Sequence, residues 1–160
     1  MHEWWGEAFN VVVAEFSDLP TATEFFRVIL RLVIAAISGA LLGWERERSG
    51  KAAGMRTHML VSVGAALFVI VPQQMHMSDA ELSRVIQGII TGAGFLGAGT
   101  ILKSTSEETV QGLTTAAGLW LTVAIGIAAG LGREGTAVLG AVVALIILQL
   151  MPKIWPRTGS

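Results

Sequence analysis

The chain of 160 residues has no cysteine. Disulfides and thiolate metal sites are therefore excluded. Charge is scarce too. Asp, Glu, Lys and Arg make up 14% of the residues, against roughly 25% in an ordinary soluble domain. So few charges leave most of a globular surface uncovered. The net charge of -1 lacks the basic excess of a nucleic-acid binder. No Lys or Arg precedes Arg27, and the opening Met1-His2-Glu3-Trp4-Trp5-Gly6-Glu7 is acidic. A secretory signal peptide needs a basic start and an apolar stretch, so this amino terminus does not read as one. Catalytic signatures are missing as well. His2, His58 and His76 show no zinc-site spacing, and there is no nucleophile elbow or phosphate loop. The acidic residues form no ligand cage for Mg²⁺ or Ca²⁺. The sequence therefore predicts no enzyme, catalytic residue, metal site or cofactor.

What is present is hydrophobic. Apolar residues reach 52% and the mean hydropathy is +0.63. Glycine contributes 19 residues, well above the usual share of about 7%. Glycine lets membrane helices pack closely. The predicted fold class is all-α: one polytopic membrane bundle of about five transmembrane helices, with an N-terminal helix at the interface. A span needs about 20 mostly apolar residues. Stretches 27–44, 57–72, 84–102, 112–131 and 136–151 qualify or nearly do. Arg27 and Arg31, in the first turns of the first span, suit snorkelling to the interface. Pro72 marks one span's end, and Pro152 and Pro156 follow the last.

Three segments result: residues 1–20 as an acidic, aromatic interfacial segment, 21–152 as the transmembrane domain, and 153–160 as a cytoplasmic tail. In the first, Trp4, Trp5, Phe9, Val12, Val13 and Phe16 mix with Glu3, Glu7, Glu15 and Asp18. That pattern suits a short amphipathic helix in the interface with its Trp pair at headgroup depth, or a frayed tail. Pro20 then breaks the chain. Thr21 with Glu24, and Ser78 with Glu81, make capping-box patterns before the first and third spans. Basic residues set the orientation. Arg46, Arg48, Lys51, Arg56, Lys103, Lys153 and Arg157 fall on one side, against Arg27, Arg31, Arg84 and Arg133 on the other. The first side reads as cytoplasmic, with the amino terminus outside and the carboxyl terminus inside.

Three motifs carry the polar exceptions. In the first, Gly39 and Gly43 share a helix face as a GxxxG contact, best suited to packing within the subunit or a dimer. Glu45 and Arg46 follow at the membrane boundary. Gly50 and Gly54 suit a turn, and Arg56-Thr57 opens the second helix. Arg56 is placed to pair with Glu45 or to bind a lipid phosphate.

The second motif runs from Gly88 to Thr100 and contains Gly92, Gly94, Gly97 and Gly99, with Gln87 just before it. Its formal GxGxxG lacks the strand and βαβ unit of a dinucleotide site. Dense helix packing is the favoured use. The alternative is an unwound helix lining a cavity. In the third motif, Gly112, Thr114 and Thr115 start an apolar helix, and Trp120 lies about two turns in. A Trp at that depth usually wants a partner for its ring N–H, and Gln87 is the candidate.

At these motifs the sequence resembles the MgtC/SapB family of bacterial inner-membrane proteins. The matching stretches are GWERERSGKAAGMRTHMLVSVGAALF (43–68), GAGFLGAGTIL (92–102) and VQGLTTAAGLWLTVAIG (110–126), within about residues 24–150. Glu45, Arg46, Arg56, Thr57, Gly97, Gly99, Gly112, Leu113, Thr115 and Trp120 fall on its motif positions. The resemblance implies a role in adaptation to low Mg²⁺ and survival inside host cells. It also implies restraint of the F-type ATP synthase and not Mg²⁺ uptake itself. Two departures stand out: many members continue into a soluble carboxyl-terminal domain where this sequence stops at Ser160, and Thr114 stands where some carry Asn.

The leading expectation is a non-enzymatic regulator that touches a membrane partner through the GxxxG faces and the Glu45–Arg56 pair, within the lipid bilayer and compatible with a homo-oligomer. The alternative is a small ion transporter or channel, with a site near the glycine-rich third helix built from Gln87 and Thr114–Thr115. A structural subunit of a larger complex is the third reading. Because the chain has no native thiol, single reporters test its orientation. Ser49→Cys should react with an impermeant maleimide only in inside-out vesicles, and Met75→Cys only from the outer face. The opposite labelling pattern contradicts the orientation.

Overall fold

The computed structural model describes residues 3–15, 17–19, 21–103 and 110–154. Among these it has helices α1 (Glu3–Glu15), α2 (Ala22–Arg48), α3 (Met55–Gln74), α4 (Asp79–Ala98), α5 (Leu113–Gly130) and α6 (Glu134–Ile154). Strands β1 (Leu102–Lys103) and β2 (Val110–Gln111) pair antiparallel between α4 and α5. The expected all-α membrane bundle is the architecture found. His2, Phe16, Pro20, Pro156 and the tail from residue 155 lie outside the described residues, as does the Lys153 side chain.

The chain divides into two compact units, Met1–Leu30 and Arg31–Ser160. In the first, residues 3–15 are helical and not a frayed tail, and the Trp4 and Trp5 rings stack at 4.0 Å. Thr21 caps α2: its hydroxyl accepts from the Glu24 N–H at 3.2 Å and donates to the Glu24 carboxylate at 3.1 Å.

Helices α2, α3 and α6 outrun the expected spans, α5 falls within its span by one residue at each end, and α4 starts earlier and stops at Ala98 rather than Leu102. Pro72 and Pro152 sit inside the last turns of α3 and α6. Both are near helix ends, where a missing N–H disturbs little of the ladder that follows. Helices α2, α3, α5 and the stretch Glu134–Pro152 are long and apolar enough to cross a membrane. Helix α4 is also 20 residues long but carries Asp79, Glu81, Arg84 and Gln87 in its first half. Of the five expected spans, it alone falls short of that composition. Its start is a full capping box, with the Ser78 N–H donating to Glu81 at 2.8 Å and the Ser78 hydroxyl at 2.7 Å. These bonds hold the Glu81 carboxyl below its ordinary range. The box therefore persists at neutral pH and loosens as pH falls through that lowered value.

Helices α3 and α5 pack together at the centre of the second unit. On one side α2 meets α3 through Gly39 and Gly43. A Cβ at Gly39 would stand 2.6 Å from the His58 carbonyl oxygen, and one at Gly43 would overlap the Met55 backbone. On the other side α5 meets it through Gly126 and Gly130. A Cβ at Gly126 would overlap the Ser62 carbonyl, and one at Gly130 would lie 2.7 Å from Ala66 O. The α3 residues between are small: Ser62, Ala65 and Ala66 are buried. Helix α4 adds Leu82, Ile86, Ile89 and Ala93 against Val123 and Ile127. Helix α6 covers α5 with Ala137, Ala141 and Ala144 buried.

Arg31 has partners within the bundle. Its Nη1 donates to Gln73 Oε1 at 2.8 Å and to Gly130 O at 2.9 Å. It thereby ties α2 to the carboxyl ends of α3 and α5. In the glycine-rich helix only Gly97 takes up the expected close packing, against Ala116 at 3.6 Å. Helix α4 is continuous through Ala98 and not unwound. Cβ atoms at Gly88, Gly92 or Gly94 would meet nothing within 4 Å, so these glycines pack against nothing in the subunit.

Glycines 126 and 92 should therefore respond oppositely to alanine. Gly126→Ala forces backbone apart and should lose about 1–3 kcal/mol. Gly92→Ala should gain about 0.5–1 kcal/mol from helix propensity. Chemical unfolding in micelles measures both, and equal losses contradict this packing.

Candidate functional site

The polar residues of the second unit gather where α2 turns into α3. The last turn of α2 reads Glu45-Arg46-Glu47-Arg48. Glu45 and Arg46 are only 6% and 4% exposed. Arg46 donates both Nε and Nη2 to Glu45 Oε2, a forked ion pair. The Ser49 hydroxyl donates to the other oxygen, Oε1, at 2.9 Å. Gly50 makes the reversal with a positive φ of 67°, which a side chain would strain. Glu47 then caps the next helix, because its carboxylate accepts the Met55 N–H at 3.0 Å.

One turn into α3 lies His58, which is fully buried. Its Nδ1 is 3.0 Å from the Gly54 carbonyl oxygen. A carbonyl only accepts, so the neutral ring carries its proton on Nδ1. Nε2 is left with a lone pair and no protein partner, and so is the Ser62 hydroxyl one turn further. A Cβ on Gly118 of α5 would stand 3.7 Å from this Nε2. Next along α5, buried Thr122 satisfies itself by donating to Gly118 O at 2.8 Å. Glu45, Arg46, His58, Ser62 and Thr122 are thus a buried polar series leading inward from the α2–α3 turn.

Some expected residues meet here and others do not. Glu45 pairs with Arg46 and not with Arg56. Arg56 and Thr57 are exposed. Adjacent side chains on a helix do not ordinarily face each other, but the long guanidinium folds back onto Oε2. Gly97, Gly99, Thr100 and Gly112 come together at the α4–α5 connection. Gly97 packs on Ala116 at 3.6 Å, Gly99 caps α4, and the Thr100 hydroxyl donates to Gly97 O at 2.8 Å. Gly112 has φ 92°, and a Cβ there would overlap the Thr100 carbonyl.

Leu113 is exposed, Thr115 is buried, and Thr114 lines a cavity of about 250 Å³ beside His58. Trp120 is not buried. It is 51% exposed, and Gln87 is exposed too, so the expected pair does not form. His58, Ser62 and the Arg31–Gln73 contact were missed by motif reading. A signal existed: an ionisable residue inside an apolar span is a candidate by position alone.

Chemically, the site offers a neutralised ion pair and one oriented imidazole lone pair. Among the described residues, no group of three His, Asp or Glu is placed to hold a metal ion. Removing one partner of a buried pair leaves the other charge stranded, at about 3–5 kcal/mol. Glu45→Ala should lose that order of stability in equilibrium unfolding, while exposed Arg56→Ala stays within about 0.5 kcal/mol. Similar losses in both variants contradict the pairing.

The MgtC family profile matches residues 32–155. Among curated proteins, Escherichia coli YhiD, whose name provisionally assigns it to magnesium transport, is 39% identical over 133 residues, 79% of this chain and 61% of YhiD. Synechococcus elongatus protein SrpB is 43% identical over 137 residues, 79% of this chain and 75% of its own. Salmonella typhimurium protein MgtC is 40% identical over 120 residues, 75% of this chain and 50% of its own. The chain thus spans 61% of YhiD and half of MgtC. No solved structure matches it. With its polar α2–α3 turn and its glycine-built α4–α5 connection inside the matched region, this helical membrane protein belongs to the MgtC family.

Proposed function

We propose that the chain is a non-enzymatic bacterial inner-membrane protein that regulates a membrane-embedded partner by docking one of its helices. The supporting observation is an apolar groove of about 680 Å³ between α3 and α4. Gly64 of α3 and Gly88 and Gly92 of α4 line it, each with open space where a Cβ would stand. Gly88 and Gly92 have GxxxG spacing, which lets a second helix backbone come close. Leu60, Phe68, Phe95 and Leu96 supply apolar walls. Gly39 and Gly43 do not serve this purpose, because α3 already occupies them. Glu45 stays with Arg46 in the fold and leaves exposed Arg56 alone on the surface. The proposed orientation keeps the α2–α3 turn in the cytoplasm and the amino terminus outside. The proposed partner class is a transmembrane subunit of a complex such as the F-type ATP synthase, engaged under Mg²⁺ limitation or inside a host cell.

A photo-crosslinking residue at position 88 should capture one discrete membrane protein in native membranes. Gly92→Leu should cut that capture at least tenfold while thermal stability is retained. Lipid adducts alone, or undiminished capture by the variant, contradict the reading. The name of YhiD favours a second reading, a Mg²⁺ transporter. Regulation predicts no Mg²⁺ flux from purified protein in liposomes above protein-free vesicles. Sustained flux would favour transport instead.

A further inference from the structure

We propose that the α2–α3 turn, together with the exposed face of α2 that leads to it, binds an acidic membrane phospholipid such as phosphatidylglycerol. The turn joins two helices that are each long and apolar enough to cross a membrane. It therefore stands at a membrane surface whichever way the chain is oriented. The site shares no residue with the groove between α3 and α4 and does not depend on the docking proposal. Charge is the first observation that selects the ligand. Arg46 is committed to Glu45, and Glu47 caps α3 at the Met55 N–H. Arg48, Lys51 and Arg56 are exposed, and among the described residues none of the three has an ion-pair partner. Set against Glu47, these cations leave two net positive charges on the turn. The Arg48 guanidinium lies over the Trp44 ring, 5.6 Å from its centroid. That attraction steadies the cation and uses none of its N–H donors, which stay free for a phosphate.

The second observation is an apolar track that ends at these cations. Val33, Ile37, Leu41, Trp44 and Arg48 recur three or four residues apart, so they share one face of α2. The first four are each about half exposed. The face thus runs from aliphatic side chains to an aromatic ring suited to headgroup depth, and then to a cation. That order matches the acyl chain, the glycerol level and the phosphate of a lipid lying along the helix. A free phosphate or a nucleic acid would use the cations and leave the track bare. A zwitterionic lipid would bring an amine to a turn that is already positive. An acidic lipid with an uncharged headgroup satisfies both the track and the cations.

Trp44 lies inside the site and serves as its reporter. The full chain, with Trp4, Trp5, Trp120 and Trp155 each replaced by Phe, would be reconstituted in phosphatidylcholine vesicles. Quenching of Trp44 by dibrominated phosphatidylglycerol is then compared with quenching by dibrominated phosphatidylcholine. The expected preference for the acidic lipid is at least about fivefold, the effect of one juxtamembrane cation. Arg48→Gln, Lys51→Gln and Arg56→Gln combined should abolish the preference and keep the melting temperature. Arg84→Gln, on α4, should leave the preference unchanged. Where the four-Phe chain does not fold, native mass spectrometry of the unsubstituted chain reads the same preference. Released from nanodiscs of equal phosphatidylglycerol and phosphatidylcholine, it should retain the acidic lipid, and the triple variant should not. Equal quenching by the two lipids, an unchanged preference in the triple variant, or full competition by inorganic phosphate would overturn the proposal.

Discussion

The structure depends on the close approach of backbones at α3. In a bilayer, burying apolar side chains gives helices little reason to associate, since lipid is equally apolar. Contact must come from short-range packing, which requires backbones within reach of each other. Gly39 and Gly43 let α2 touch α3 from one side, and Gly126 and Gly130 let α5 touch it from the other. Any side chain at these positions would separate the helices and forfeit many small dispersion contacts at once. Hence α3 holds Ser62, Ala65 and Ala66 in its interior, where bulkier residues would act as wedges.

This tight packing also explains the polar corner. Enclosing α3 takes Glu45, Arg46 and His58 out of contact with solvent. Charges in such a place must be matched. Glu45 accepts from Arg46 and Ser49, which leaves no net charge to solvate. His58 is matched on one side only, by Gly54. The opposite end has its own tie, with Arg31 joining Gln73 and the Gly130 carbonyl. Polar contacts thus act at both ends, the α2 glycines pack on the first turn of α3, and the α5 glycines pack on its middle. Helix α4 differs: its glycines 88, 92 and 94 open away from the bundle. That contrast is why the docking surface proposed above lies on α4 and not on α2.

Much of this was legible in the chain. Apolar runs separated by turn residues placed the helices, and Ser78 with Glu81 marked the start of α4. What was not legible was the rotation of each helix about its axis. Trp120 looked buried because it lies deep along α5, yet it is exposed while Leu119 beside it is buried. Depth along a span says nothing about which face turns inward; the glycines facing α3 decide that. For the same reason Gly39 and Gly92 look alike in sequence, although one meets a backbone and the other meets nothing. Arg56 was as plausible a partner for Glu45 as Arg46 until the turn geometry was known. The spacing of His58 carries no metal signature, and its burial with an unpartnered Nε2 depends on helix packing that a motif does not record.

The central claim is that α3 is enclosed on a defined face by α2 and α5. The most direct measurement is an oxygen-accessibility scan of single spin labels along α3 in lipid bilayers, for which the cysteine-free chain is suited. The account requires low collision rates at positions 62, 66 and 69, and high rates at 60, 67, 68 and 71, following the buried and exposed faces. Uniform accessibility along the helix, or maxima at 62, 66 and 69, would contradict it.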